Sequence, residues 1–245
     1  MNLDYIFPTP VWWVDLDIDL DEMERILVDT ALNMPGKARS NRGMRNYQSP
    51  DFLGEPIIND PDLDGDEFKN LLIKIKEKAV EAFDSFGSTH TTIEYANAWM
   101  NINGTGGYNE VHTHPGAVMS GAFYVKVPPG PVGKLTFHRD AGEGYLLHSI
   151  GTSEDMSTAE VPHTHSTWAY PPVAGRLMLF PAWVAHGVRE NETEDERMSI
   201  SFNFIPVRTK RDMMELIKES EERKGNEFTP SDLSYHRQTR EDSSD

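Results

Sequence analysis

Two histidines stand two residues apart in Asn109-Glu110-Val111-His112-Thr113-His114-Pro115-Gly116. On an extended backbone, side chains two apart project from one face, so His112 and His114 would be presented together. Neutral imidazoles suit a borderline divalent metal such as Fe, Zn, Cu or Ni. A lone His-x-His before a Pro-Gly break is also what an exposed turn looks like. A third histidine, His186, favours the metal reading, because it lies in an apolar strand-like setting with Arg197 shortly after it. Arginine carries a planar fork of donors suited to a carboxylate or phosphate.

Short alternating segments broken by Gly and Pro must position these residues. Candidate strands run over 92–102, 118–127, 134–138, 166–170, 176–180, 184–188 and 198–206, a pattern expected of an all-β barrel or jelly roll. In the last of these, Met198, Ile200, Phe202 and Phe204 alternate with Ser199, Ser201 and Asn203, which predicts one buried face and one polar, pocket-side face. Upstream, 7–16 reads as a strand with a Pro-restrained entry. Residues 17–34 read as a helix capped by Asp19 or Asp21 and ended by Pro35-Gly36. Residues 36–65 show no sustained period and read as loop. Phe68, Leu71, Leu72, Ile75, Ala79 and Phe83 form the apolar stripe of a helix over 66–86, ended by Gly87 and expected to cover a sheet. A further helix is expected over 209–224 and a polar tail over 225–245. The expected organisation is a single domain over 1–224 with its β core at about 91–207.

The chain has 245 residues, a formal net charge of -17 and no cysteine. The charge argues against broad electrostatic binding to nucleic acid or anionic lipid. Without cysteine there is no disulfide, and metal ligands must be His, Asp or Glu. No stretch is apolar enough to span a bilayer, and the N-terminus lacks the features of a signal peptide, so the expected location is cytoplasmic.

Three blocks recur in order: Trp99-Met100-Asn101-Ile102-Asn103-Gly104 before the His-x-His; Ser120-Gly121-Ala122-Phe123-Tyr124-Val125; and Gly175-Arg176-Leu177-Met178-Leu179-Phe180-Pro181 before His186-Gly187-Val188 and Arg197-Met198-Ser199. In this combination the chain resembles the Fe(II)- and 2-oxoglutarate-dependent dioxygenases, whose pattern is His-x-Asp, a long spacer, a distal His and then Arg-x-Ser. With the opening Phe7-Pro8-Thr9-Pro10-Val11, it is more specifically similar to a branch known from bacteria and from tailed phages, notably those of cyanobacteria. The distal half is similar to prolyl hydroxylases. The resemblance spans most of residues 5–207. It implies a double-stranded β-helix (jelly-roll or cupin-like) core with flanking helices. It also implies Fe(II) at His112, His114 and His186, with 2-oxoglutarate as cosubstrate and O2 as oxidant. Arg197 would hold the far carboxylate of 2-oxoglutarate, with Tyr124 and Ser199 as hydroxyl donors. The implied reaction is hydroxylation of a peptidyl or amino-acid-like substrate, in a host cytoplasm if the chain is phage-encoded.

His114 departs from the pattern, because a carboxylate usually stands there. Three readings stay open: His114 is the third ligand; it turns away and leaves a two-histidine site; or Asp140 supplies the carboxylate. Elsewhere, the pair His163 and His165 reads as loop over the pocket mouth and His138 as a neighbour of the site. Trp99 and Trp168 are assigned to core or pocket wall. The cluster Arg39-Ser40-Asn41-Arg42 and the acidic run from Asp60 to Asp66 are read as solvated loops. Two other functions compete: a cupin-like metal protein or enzyme that does not use 2-oxoglutarate, and a non-catalytic jelly-roll binding module. Arg197 discriminates against the first, since it would have no assigned partner, and the His, His, His, Arg set counts against the second.

Overall fold

The computed structural model describes residues 8–33, 46–51, 53, 66–87, 91–139 and 166–208. Their elements, in chain order, are β1 (Trp12–Asp15), α1 (Leu20–Asn33), β2 (Asn46–Gln48), α2 (Asp66–Asp84), β3 (Thr91–Asn103), β4 (Asn109–His112), β5 (Met119–Lys126), β6 (Leu135–His138), β7 (Thr167–Tyr170), β8 (Arg176–Pro181), β9 (Ala185–Val188) and β10 (Arg197–Arg208).

The strands form two sheets. The larger runs β1-β8-β5-β10-β3-β2 and the smaller β4-β9-β6-β7. Alternation along the larger sheet decides what each of its faces meets. Met198, Ile200, Phe202 and Phe204 are all at most 1 % exposed and join Met100, Ile102, Phe123, Leu177 and Leu179 in the main core. Both helices contribute to that core, α1 through Met23, Ile26 and Leu27 and α2 through Phe68, Leu71, Ile75 and Ala79. Each of the larger of these side chains contributes roughly 1.5–3 kcal/mol when fully buried. A second, smaller cluster of Tyr124, Leu135, Phe137, Met178, Phe180 and Val184 joins residues of the larger sheet to residues of β6 and the β8–β9 turn. This is the double-stranded β-helix arrangement, mainly β with helices on one outer face.

Local chemistry explains the helix ends. The Asp19 side chain accepts the Glu22 amide at 3.0 Å, which makes Asp19 the cap of α1. Beyond α2, Gly87 has φ of 76° and donates to Asp84 O at 2.9 Å, so the chain leaves the helix through a left-handed residue.

Two strands were not legible as such. β2 falls inside 36–65, which reads as loop. It has three residues and pairs only along the edge of β3, Asn46 with Asn103 and Gln48 with Asn101. That is too short for a period of two to register, and its existence depends on the neighbour. β4 has four residues and a register shift between Asn109 and His112. The expected helix over 209–224 and tail over 225–245 lie outside the described residues, as do Asp140, His163, His165, Arg39, Arg42 and nearly all of the 60–66 run. Contacts divide the chain into Met1–Val207 and Arg208–Asp245, and the fold above is that of the first unit. Among the described residues no helix is long and apolar enough to cross a membrane.

Candidate active site

The His-x-His stretch marks the passage from the smaller sheet to the larger. His112 ends β4 and is in register with His186 on β9. The chain then leaves the sheet, and the His114 amide donates to Ala182 O at 3.0 Å in the β8–β9 turn. Gly116, with φ of 91°, carries the turn onward, and Val118 N reaches Phe204 O beside β5. His112 and His186 are thus held by strand pairing and His114 by a turn.

The three rings converge. Centroids are 4.5 Å apart for His112 and His186, 4.8 Å for His112 and His114, and 5.1 Å for His114 and His186. One nitrogen from each lies within 4.8 Å of the others. A metal about 2.1 Å from each nitrogen needs about 3 Å between neighbours, a distance that small ring rotations would reach. His112 Nδ1 faces Glu110 O at 2.7 Å and His186 Nδ1 faces Val184 O at 2.8 Å. A carbonyl only accepts, so each Nδ1 carries the proton and each Nε2 keeps its lone pair for a metal. Burial pulls His114 and His186 down to about 4 each; the neighbouring imidazoles push the same way, and the Val184 carbonyl opposes the shift at His186. Both are therefore neutral at pH 7, the form that ligates.

Arg197 lies in the wall of the same cavity, 2 % exposed. Its Nη1 donates to Val132 O and Gly133 O at 3.1 Å each, and its Nη2 to Asn103 Oδ1 at 2.7 Å. All three acceptors are neutral. Nε has no partner, and no carboxylate among the described residues pairs with the guanidinium. Burial lowers the pKa of Arg197, opposed by Tyr124. Gly133 can come this close because it has no Cβ, which would sit 2.0 Å from Arg189 O, and because its φ is 71°. Tyr124 lies opposite Ser199 in the β5–β10 register and is 3 % exposed. Burial raises its phenol pKa and Arg197 opposes that rise. Tyr124 and Ser199 both line the cavity.

The remaining wall is uncharged and mixes apolar residues with amides and a hydroxyl. Asn101 Nδ2 donates to Ser201 Oγ at 3.0 Å, and both border the cavity with Asn103 and Asn109. Trp99 also lines it, with its ring 6.0 Å from that of His114. Trp168 instead stands on β7 in register with Phe137. His138 bonds Thr136 Oγ1 at 3.1 Å and is not among the lining residues. Asn103, which holds Arg197, and Asn203, whose Nδ2 lies 3.4 Å from His114 Nδ1, are not among the expected site residues, although Asn203 falls on the expected pocket-side face. Their signal was an asparagine alternating with large apolar residues on a strand, which is costly unless its amide is satisfied.

A family model described as "Putative 2OG-Fe(II) oxygenase" matches residues 97–203. That span contains all six residues expected to build the site. No curated protein matches the sequence. Among solved structures, a Pseudomonas putida prolyl-4-hydroxylase superposes with a TM-score of 0.51 at 13% identity, covering 80% of this chain and 92% of that one. The epimerase SnoN of nogalamycin biosynthesis, solved with Fe3+, alpha-ketoglutarate and nogalamycin RO, superposes with a TM-score of 0.56 at 13% identity, covering 82% and 81%. The carbocyclase SnoK of the same biosynthesis gives 0.52 at 8% identity, covering 80% of each chain. These likenesses are of fold. Over residues 97–203 the chain is thus similar to the family described as 2OG-Fe(II) oxygenase.

Proposed function

We propose that this protein is an Fe(II)- and 2-oxoglutarate-dependent oxygenase that hydroxylates a peptidyl or amino-acid-like substrate. The observation that carries the reading is Arg197. A buried guanidinium with only neutral acceptors and an unpartnered Nε calls for an anion, because an uncompensated buried charge is costly. It lines the same cavity as three convergent imidazoles. A ligand with a metal-chelating end and a distal carboxylate answers both demands, and 2-oxoglutarate is such a ligand.

His112, His114 and His186 would hold the iron, with His112 and His186 already in the ligating tautomer. Arg197 would anchor the distal carboxylate through its fork, with Tyr124 and Ser199 as hydroxyl donors. When bound, iron with 2-oxoglutarate and O2 supplies oxidative decarboxylation to succinate and CO2, coupled to insertion of one oxygen atom into a substrate C–H bond. The apolar residues around the imidazoles, Leu135, Phe180 and Val188, keep bulk water from the reacting centre. Trp99, Asn101 and Ser201, which line the cavity, would meet the substrate. Their uncharged amide and hydroxyl groups suit a peptide backbone, and the structural likeness to a prolyl-4-hydroxylase points to the same class.

A cupin-like enzyme using the metal alone would leave Arg197 without an anionic partner. Aerobic incubation of the iron-loaded protein with 2-oxoglutarate tests the proposal. Succinate should form slowly even without substrate, and His186→Gln should abolish it. Equal succinate from the wild type and the variant would sink it.

A further inference from the structure

A carboxylate ligates a metal in any state but the protonated one. An imidazole must in addition present the correct nitrogen. At His112 and His186 a backbone carbonyl makes that choice by accepting the Nδ1 proton. Among the described residues no such carbonyl faces the His114 ring. Its Nδ1 faces the side-chain amide of Asn203, on β10, at 3.4 Å.

Asn203 is 5 % exposed and held from two other sides. Ser120 Oγ donates to its Oδ1 at 2.6 Å, and its Nδ2 donates to Asn97 Oδ1 at 2.9 Å. With Nδ2 towards His114, Nδ1 of the ring accepts, so the ring proton sits on Nε2 and that nitrogen has no lone pair for a metal. A half-turn of the amide exchanges its oxygen and nitrogen at nearly unchanged positions. Oδ1 then accepts a proton on His114 Nδ1, and Nε2 is bare. The neighbours satisfy either state, because a serine hydroxyl both donates and accepts and the Asn97 amide can make its own half-turn.

We propose that Asn203 is the positioning residue that selects the tautomer of His114, and thereby decides whether the third imidazole is a ligand. The ligating state has Asn203 Oδ1 facing His114 Nδ1–H, supported by Ser120 and Asn97. This rests on the metal-centre reading above and explains how a histidine can work where a carboxylate is usual: the acceptor that it needs is supplied from β10.

The test uses full-length protein, Zn(II) as a diamagnetic probe, and nitrogen-15 correlation spectra of the imidazoles, with affinity measured by anaerobic titration of Co(II). In the wild type all three histidines should carry the proton on Nδ1 and the metal on Nε2. Asn203→Leu should lower Co(II) affinity roughly 10–100-fold and move the tautomer signature of His114 alone. Asn203→Asp, whose carboxylate only accepts, should bind Co(II) at least as tightly as the wild type. That variant carries the test if Asn203→Leu does not fold. Wild-type affinity and an unchanged His114 signature in Asn203→Leu would overturn the proposal, as would weakened binding in Asn203→Asp. A wild type that binds no metal would instead overturn the metal-centre reading itself.

Discussion

His112 and His186 are register partners across β4 and β9, and each Nδ1 faces the carbonyl two residues before it, Glu110 O at 2.7 Å and Val184 O at 2.8 Å. The same short loop-back bond on two paired strands fixes two rings in the same tautomer, with both bare nitrogens close together. Replacing His186 by Gln keeps the volume and a polar end but removes the ring nitrogen. Metal affinity should fall at least roughly 100-fold, since a ligand is lost and not merely its support. The variant should keep the wild-type far-ultraviolet circular dichroism. Undiminished Co(II) binding would show that His186 is a core histidine and not a ligand.

On the proposed reading, 2-oxoglutarate binding depends on Arg197 and on what holds it. Hydrogen bonds to charged groups contribute about 1.5–3 kcal/mol each, so Arg197→Gln should weaken 2-oxoglutarate binding roughly 10–100-fold. Asn103→Leu removes the acceptor on Nη2 without touching the imidazoles. It should raise the Kd for 2-oxoglutarate several-fold while Co(II) affinity stays at the wild-type value. A matching loss of metal affinity would mean that the variant had disturbed the whole cavity.

Acid should destabilise the metal-free protein through the two shifted histidines. Both are held down to about 4 against an ordinary 6.5, chiefly by burial. Between about pH 6.5 and about 4 the unfolded chain takes up protons that these rings refuse in the native state, so stability falls as pH falls across that window. Urea midpoints measured from pH 8 to 4 should decline, and His186→Gln should decline less steeply. Identical slopes would place the acid sensitivity in other groups.

One prediction concerns stability at the cavity wall, where Gly121 stands. A Cβ on Gly121 would meet Met178 O at 2.5 Å and the Phe202 ring at 2.5 Å. Strand pairing fixes the carbonyl and the main core fixes the ring, so neither can yield cheaply. Gly121→Ala should cost roughly 1–3 kcal/mol, read as a lowered urea midpoint. An unchanged midpoint would mean that β5 and β8 separate more easily than their pairing suggests.

Much of the β core was legible because its strands carry strict alternation, as from Met198 to Phe204, and because α2 carries an unbroken apolar stripe. The convergence of His112, His114 and His186 was readable only through motif order, since the turn that brings His114 back to Ala182 is a tertiary event. β2 was invisible because three residues hold too little pattern. Asn203 was read as part of a polar strand face, and Asn103 only as part of a motif. What makes them partners of Arg197 and His114 is sheet order, which places β10 between β3 and β5, and no local signal encodes that order.

Anaerobic titration of the iron-loaded protein with 2-oxoglutarate, followed by absorbance, decides whether one cavity holds both a three-histidine metal centre and a carboxylate anchor. Chelation should produce a weak visible charge-transfer band that saturates with 2-oxoglutarate. Arg197→Gln should give the same band only at much higher concentration. Tight Fe(II) binding with no band at any 2-oxoglutarate concentration would contradict the account.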